Sequence, residues 1–254
     1  MIYYKKVIMA RKRKTNKKIL FLAIWKSRWY ILKYYPKMIY MANHPEKYTE
    51  DERYEYTLKL INFLLKACDV KTSVYGEENI PAEDGFLVCS NHQEKFDPLV
   101  IWKVFPRRIG VVVNDTACHR PFIREVCLLI SSLKLFQNDM HSMVDVITRL
   151  TAELTNKRNY MIFPEGWYEE DPFTLSEFKG GCFKSVIRSK APILPVALID
   201  SYKLFKNGVQ PPYQIKIHFL KPISYDEYKD LKTVDIAALV RERIQAAVNE
   251  FQKV

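Results

Sequence analysis

The chain has 254 residues, of which 48% are hydrophobic, so it is long and apolar enough to bury a full core in one α/β domain. Its formal net charge is +11. Its five cysteines are odd in number and scattered without a C-x-x-C pair, which argues against a disulfide framework and a zinc site, and the histidines lack metal-ligand spacing. No metal and no bound cofactor is expected.

The excess positive charge lies at the N-terminus. Residues 1–40 contain twelve lysines and arginines and no acidic residue, which leaves 28 basic residues for the 29 acidic residues of the rest. Residues 1–18 are interpreted as a basic arm. Basic arms can bind nucleic acid, but the segment that follows does not resemble a nucleic-acid module, so no nucleic-acid partner is expected.

A segment rich in aromatic residues follows the arm. Residues 19–35 carry Ile, Leu, Phe, Trp and Tyr around most of a helical circumference, with lysines along one stripe. This pattern predicts an amphipathic helix on a membrane surface with anionic lipids. The residues predicted to contact the membrane are Trp25, Lys26, Trp29, Tyr30 and Lys33. The alternative is a helix packed on the protein's own core with a solvated lysine edge.

The apolar run is too short to cross a membrane, because Lys26 interrupts it and about 20 apolar residues are needed. We therefore expect a peripheral protein on the cytoplasmic face of the membrane. Pro36 is predicted to stop or kink the first helix near Tyr35, and residues 50–68 predict a second helix. Residues 19–68 would then form an antiparallel helical pair, the membrane-association region, beside an α/β domain of residues 69–254.

Within the predicted α/β domain, apolar runs typical of strands alternate with helical patterns. Strands are predicted at 86–89, 109–114, 132–136, 160–163, 193–198 and 215–219, and helices at 143–154 and 234–251. This alternation favours an α/β fold with a mixed, mostly parallel sheet covered by helices.

A histidine and an aspartate follow the strand at 86–89. His92 and Asp97 are five positions apart, and ligands of α/β proteins tend to bind where such strands end. A histidine with an orienting aspartate can act there as a general base. The alternative is a structural histidine beside a helix-capping aspartate, since Asp97-Pro98 fits the start of a helix.

Three further blocks occur downstream in order. The strand from Asn159 ends in Phe163-Pro164-Glu165-Gly166, and Phe178-Lys179-Gly180-Gly181 and the run Ala-Pro-Ile-Leu-Pro-Val at 191–196 follow it. In order and spacing, the four blocks resemble the glycerolipid acyltransferase family, best known from 1-acylglycerol-3-phosphate acyltransferases. The resemblance extends from about residue 75 to residue 228.

The resemblance implies roles for these residues. His92 would be the general base and Asp97 its orienting partner, with no covalent enzyme intermediate and no metal. Acyl-CoA or an acyl carrier protein would supply the acyl chain as a substrate. The acceptor pocket would be shaped by Glu165 and Gly166, with Lys179 and Gly181 in the next block. A simple Pro-Glu-Gly turn is the alternative for the first of these blocks.

The chain departs from the family at two positions. Where the family usually has Thr-Arg after the Glu-Gly pair, this chain has Trp167-Tyr168, and where an arginine is expected after the strand at 132–136, it has Gln137. By resemblance, the two arginines grip the phosphate of the acceptor. Trp167, Tyr168 and Gln137 are therefore predicted to line the acceptor site. Residues that could replace the missing charge are Arg120, Arg124, Lys179 and Lys184.

These observations predict a peripheral-membrane O-acyltransferase. It would move a fatty acyl chain from a thioester to a hydroxyl of a lysophosphatidate-like lysophospholipid. Two alternatives stay open: an acceptor without phosphate, and a catalytically silent member that only binds lipid or membrane.

Overall fold

A computed structural model describes residues 17–135, 139–167 and 171–252. Most of the predicted basic arm lies outside the described residues, as do Gln137 and Tyr168, two of the residues assigned to the acceptor site. The division into an arm, a helical pair and an α/β domain stays a prediction.

The described residues form a seven-stranded sheet with the strand order β1-β7-β6-β2-β5-β3-β4. Its strands are β1 (Val70–Tyr75), β2 (Leu87–Ser90), β3 (Gly110–Asn114), β4 (Leu133–Leu135), β5 (Tyr160–Ile162), β6 (Ile193–Ile199) and β7 (Tyr213–Phe219). Neighbouring strands run parallel except for β6 and β7, which are antiparallel. The predicted mixed, mostly parallel sheet is confirmed.

Helices cover both faces of this sheet. They are α1 (Lys17–Asn43), α2 (Glu50–Ala67), α3 (Asp97–Val104), α4 (Asp115–Cys118), α5 (Ile123–Leu129), α6 (Met140–Thr155), α7 (Lys184–Ser189), α8 (Tyr225–Tyr228) and α9 (Thr233–Gln252). Successive residues of a strand point to opposite faces. Val88 of β2 accordingly packs with α1, α2, α3 and α5, whereas Leu87 and Cys89 pack with α6, α7 and α9.

The helical pair α1 and α2 is antiparallel and packs through aromatic side chains. Tyr30 stacks on Phe63 with a centroid distance of 3.6 Å, and the Tyr56 hydroxyl donates a hydrogen bond of 2.7 Å to the Tyr34 carbonyl. Buried residues of both helices belong to the same core cluster as the sheet. The pair is therefore fixed on the α/β layers by apolar packing.

The helix α1 does not stop near Pro36 as predicted; it continues to Asn43. Proline inside a helix removes one backbone N–H and costs about 3 kcal/mol. Beyond the proline, Met38 and Met41 are buried in the core. Full burial of a methionine side chain contributes about 1.5–3 kcal/mol, so packing of the second half of α1 offsets the cost of the proline.

Candidate functional site

His92 lies just beyond the carboxyl end of β2. Its Nδ1 is 2.7 Å from Oδ2 of Asp97, the first residue of α3. The Asp97 side chain is fully buried, whereas 18% of the His92 side chain is exposed. A carboxylate beside Nδ1 keeps the imidazole proton on that atom, so Nε2 carries the lone pair that can accept a proton. The geometry is that of an oriented base at the protein surface.

The Asp97 carboxylate is held by the segment that carries the histidine. Its Oδ2 also accepts hydrogen bonds from the backbone N–H groups of Gln93, at 2.6 Å, and Glu94, at 2.8 Å. The N-cap position of α3 is occupied by Phe96. The alternative of a helix-capping aspartate is therefore wrong, because the carboxylate points back toward His92.

Two buried amides fix this segment to its surroundings, Asn91 to strand β6 and Gln93 to the chain at 172 and 201. The Asn91 side chain exchanges two hydrogen bonds with the backbone of Leu198, at 2.9 and 2.8 Å. The Gln93 Oε1 accepts from the Ser201 N–H at 3.1 Å, while its Nε2 donates to the Pro172 carbonyl at 2.8 Å. Sequence reasoning missed both residues. The available signal was their position in a polar run that directly follows a buried strand.

Glu165 joins the turn after β5 to the histidine. Its Oε1 accepts a hydrogen bond of 2.7 Å from the His92 backbone N–H, and its Oε2 accepts one of 2.9 Å from the Ser176 N–H. The Phe163 ring lies 4.6 Å from the imidazole, measured between centroids. Burial raises the pKa of the Glu165 carboxyl above its ordinary value of 4.5. Both carboxylate oxygens of Glu165 thus bind backbone N–H groups and link the turn after β5 to the segment that carries His92. Its expected place in the acceptor pocket stays a prediction.

The other predicted acceptor-site residues lie on or near the same turn. Gly166 has φ of +71°, a conformation that favours glycine, and the Lys179 side chain packs against it. Trp167, next in the chain, is exposed. Gly181 lies in the 3-10 segment Gly180–Phe183, where a Cβ would meet nothing within 4 Å. Nothing in the local packing explains the glycine at 181.

An exposed apolar stripe runs along α1. Its members lie at helical spacing and are Phe21, Trp25, Trp29 and Leu32. Lys26 and Lys33, also predicted to contact the membrane, are exposed beside it. Tyr30 is placed differently, because its ring stacks on Phe63 within the helical pair. Among the helices of the described ranges, none has the length and apolarity needed to cross a membrane.

Glu94 is a second buried carboxyl group in the segment between His92 and Asp97. Its Oε1 accepts a hydrogen bond of 3.0 Å from the Lys95 N–H, and burial raises its pKa above the ordinary value of 4.5. A raised folded-state pKa gives stability that is present below the unfolded-state pKa and is lost as pH rises through the folded-state pKa. Ionised Glu94 therefore weakens the fold at neutral pH.

We expect Glu94→Gln to become more stable relative to the unaltered protein as pH rises from about 4.5 to about 8. The glutamine keeps an acceptor for the Lys95 N–H but does not ionise, and each unit of pKa elevation corresponds to about 1.4 kcal/mol. Urea unfolding at several pH values measures the difference, with Glu177→Gln at an exposed position as the control. A difference in unfolding free energy between the Glu94→Gln variant and the unaltered protein that stays constant with pH would contradict the expectation.

A cavity of about 360 Å³ lies at the amino ends of the central strands, on the side of the sheet away from His92. Gly85 and Pro192, which precede β2 and β6, contribute to its lining. The length of β2 separates this cavity from His92. In the ranges that the structure describes, no group of three or more His, Cys, Asp or Glu residues could hold a metal ion.

Comparison with known proteins gives a family match over the region that contains this site. A family model described as "Acyltransferase" matches residues 71–199. Those residues include β2 to β6 and most of β1, the pair of His92 and Asp97, and the turn at Glu165. The matched region is just over half of the chain.

Individual relatives and a solved structure agree with this match. The chain is 28% identical over 192 residues to a 1-acyl-sn-glycerol-3-phosphate acyltransferase of Saccharomyces cerevisiae, covering 74% of this chain and 62% of the relative. A probable 1-acyl-sn-glycerol-3-phosphate acyltransferase of Mycoplasma pneumoniae is 22% identical, with 82% of each chain covered. The crystal structure of a 1-acyl-sn-glycerophosphate acyltransferase from Thermotoga maritima has a TM-score of 0.73 at 19% identity, covering 93% of this chain and 96% of that one. This structural likeness shows a shared fold.

Proposed function

The chain belongs to the acyltransferase family, and on that premise we propose that it moves a fatty acyl chain from an acyl thioester to a hydroxyl of a lysophosphatidate-like lysophospholipid. The observation that carries the proposal is the contact of 2.7 Å between His92 Nδ1 and Asp97 Oδ2 at the carboxyl end of β2. The names of the relatives, 1-acyl-sn-glycerol-3-phosphate acyltransferases, support an acceptor that bears a phosphate. The donor is acyl-CoA or an acyl carrier protein.

The proposed mechanism uses the imidazole twice. His92 Nε2 takes the proton of the acceptor hydroxyl while the hydroxyl oxygen attacks the thioester carbonyl, and Asp97 stabilises the resulting imidazolium. When the tetrahedral intermediate collapses, the C–S bond breaks and the imidazolium returns the proton to the leaving thiolate. The products are an ester and a free thiol. A positioned base of this kind contributes about 10² to 10⁴-fold to the rate.

The contacts around His92 favour this role because they hold the base before substrate binds. Asp97 fixes one ring nitrogen, Glu165 fixes the backbone N–H, and the Phe163 ring lies against the imidazole. A base held in this way needs little reorganisation when the hydroxyl arrives.

The proposal is tested with an acyl thioester labelled in the acyl chain. The protein is incubated with acyl-CoA or acyl carrier protein as donor and with lysophosphatidate, other lysophospholipids and monoacylglycerol as acceptors, and the products are identified by mass. We expect the label to appear as a new ester on lysophosphatidate, with release of one thiol per ester. Transfer only to monoacylglycerol would instead support the acceptor without phosphate. Lipid binding without transfer to any acceptor would support a silent member.

We also propose that α1 docks on the membrane surface through its apolar stripe. Trp25 and Trp29 are exposed large aromatics on a helix whose inner side packs on α2. The Arg28 guanidinium lies over the Trp25 ring at 4.7 Å, which places positive charge beside the stripe. Each basic residue close to an anionic leaflet contributes about 1 kcal/mol, and an aromatic ring adds apolar burial at the interface.

The double variant Trp25→Ala/Trp29→Ala should bind anionic vesicles about tenfold or more weakly, because burial of the two indoles in the interface contributes several kcal/mol at about 25 cal/mol per Å². Vesicle sedimentation measures the bound fraction. Val144→Ala is the matched control, since Val144 on α6 and Trp25 are both 58% exposed. Equal vesicle binding by the double variant and the control would place the docking surface elsewhere.

A further inference from the structure

We infer that the Lys179 ammonium holds the phosphate group of the acyl acceptor. The position of the side chain carries this inference. A Cβ built on Gly166 would lie 2.5 Å from Lys179 Nζ and 3.1 Å from its Cε, so the end of the lysine occupies the space that the glycine leaves open. The Lys179 backbone N–H donates a hydrogen bond of 2.9 Å to the Pro164 carbonyl. The Lys179 backbone is thus fixed to the turn that follows β5, and its ammonium lies beside Gly166 of that turn.

The same turn is bonded to the base. Glu165, which lies between Pro164 and Gly166, accepts the His92 backbone N–H through its Oε1 at 2.7 Å. The turn at 164–166 therefore contacts the cation on one side and holds the segment of the base on the other. In a 1-acylglycerol-3-phosphate, the free hydroxyl and the phosphate are on adjacent carbons of one glycerol. We therefore place the phosphate of an acceptor whose hydroxyl meets His92 beside this turn.

Lys179 differs from the other candidate cations in its surroundings. Of the other residues that could replace the missing charge, Arg124 pairs with Glu125 at 3.1 Å, whereas Arg120 and Lys184 form no ion pair within the described ranges. The place of the side chain against Gly166 distinguishes Lys179 from these two. In the part of the chain that the structure describes, no carboxylate oxygen forms an ion pair with Lys179. A phosphate that accepts from this ammonium would gain a charge-assisted hydrogen bond.

Phosphate also occurs in the donor when the donor is coenzyme A. Those phosphates are at the far end of the pantetheine arm from the thioester, whereas the acceptor phosphate is on the molecule whose hydroxyl must reach His92. Because Lys179 packs against the Glu165–Gly166 turn, we assign its ligand to the acceptor phosphate and not to the donor phosphates. This inference rests on the proposed function and adds the residue that selects the acceptor.

The test compares two acceptors and two donors. Unaltered protein, Lys179→Gln, Lys179→Arg and Lys184→Gln are assayed with lysophosphatidate and with monoacylglycerol of the same acyl chain, in neutral detergent micelles. The donors are acyl-CoA and the matching acyl-pantetheine, which lacks the phosphates of coenzyme A. Lys190→Gln, an exposed lysine at the end of α7 whose ammonium lies over the Tyr225 ring, is the control.

We expect Lys179→Gln to lower kcat/KM for lysophosphatidate about ten- to a hundredfold relative to kcat/KM for monoacylglycerol, as the loss of one charged hydrogen bond predicts. Lys179→Arg should keep most of the preference, and Lys190→Gln all of it. The same preference should be lost with either donor.

Three results would overturn the inference. They are an equal loss with both acceptors, a loss seen with acyl-CoA but absent with acyl-pantetheine, and a loss of preference in Lys184→Gln but not in Lys179→Gln. Each of these leaves acyl transfer by the unaltered protein intact. Absence of transfer by the unaltered protein to every acceptor would instead overturn the proposed function.

Discussion

His92→Ala should lose most of its acyl transfer while keeping the fold. The imidazole is the group that takes the proton of the acceptor hydroxyl, and its removal should lower kcat by about 10² to 10⁴-fold, or about 3–5 kcal/mol in activation free energy. The fold should survive because the contacts to Glu165 and to β6 involve the backbone of residue 92 and the neighbouring side chains. Turnover with labelled acyl thioester and circular dichroism measure the two effects.

The chain provides a matched control for this variant. His119 also contacts an aspartate, with its Nε2 3.0 Å from Asp115 Oδ2, but its side chain is 73% exposed. His119→Ala should retain full activity. If His92→Ala kept most of its turnover, or if His119→Ala lost as much, the assignment of the base would be wrong.

Alanine at position 97 should reduce both activity and stability. Asp97 Oδ2 accepts from the His92 ring and from the backbone N–H groups of Gln93 and Glu94. An orphaned buried donor costs about 1–3 kcal/mol, so loss of all three bonds should destabilise the fold by about 3 kcal/mol or more. The imidazole would remain but without its orienting partner, and kcat should fall by about 10²-fold, the low end of the range for a general base.

Asp97→Asn separates the charge from the hydrogen bonds. Its amide oxygen can take the place of Oδ2 and accept the same three bonds, while the amide nitrogen would occupy the buried position of Oδ1, which has no partner among the described residues. Asparagine loses only the extra strength of the charged hydrogen bond, about 1–1.5 kcal/mol over a neutral one, whereas alanine loses the bond to the imidazole altogether. We therefore expect a smaller loss of kcat than with alanine.

The double variant His92→Ala/Asp97→Ala tests whether the two residues act as a unit. Residues that act together give non-additive losses, so the double variant should lose no more activity than His92→Ala alone. Steady-state kcat and urea unfolding check both expectations. Additive losses in the double variant would show that Asp97 contributes independently of His92.

The order of strands and helices was predictable because apolar runs and turn residues mark them. All strands from β2 to β7 overlap the predicted segments. β1 was not predicted, since in its sequence Val-Lys-Thr-Ser-Val-Tyr only Val70 is buried. It forms a strand because its backbone pairs in parallel with β7 over six residues, and such pairing between distant segments leaves no local pattern.

The residues of the candidate site also differ in how far the sequence alone can predict them. His92 and Asp97 were predictable because five positions separate them along the chain. The contact of Glu165 with the His92 backbone was not, because it depends on β2 and β5 lying side by side. The roles of Asn91 and Gln93 depend likewise on β6 being the other neighbour of β2. The sequence predicts a membrane contact for Tyr30 because periodicity alone does not distinguish the face of α1 that packs on α2 from the exposed face.

The two hydrogen bonds of Glu165 bear on which positions can be changed without moving the base. Its Oε1 accepts a hydrogen bond from the His92 N–H and its Oε2 accepts one from the Ser176 N–H. One carboxylate therefore holds both the segment of the base and the chain at 176. The Pro172 carbonyl accepts a further hydrogen bond of 2.8 Å from Gln93 Nε2, so the backbone at 172 also holds the segment of the base. Substitutions at Trp167, which is exposed and follows Glu165 and Gly166 in the chain, should therefore alter acceptor preference while the base keeps the same orientation.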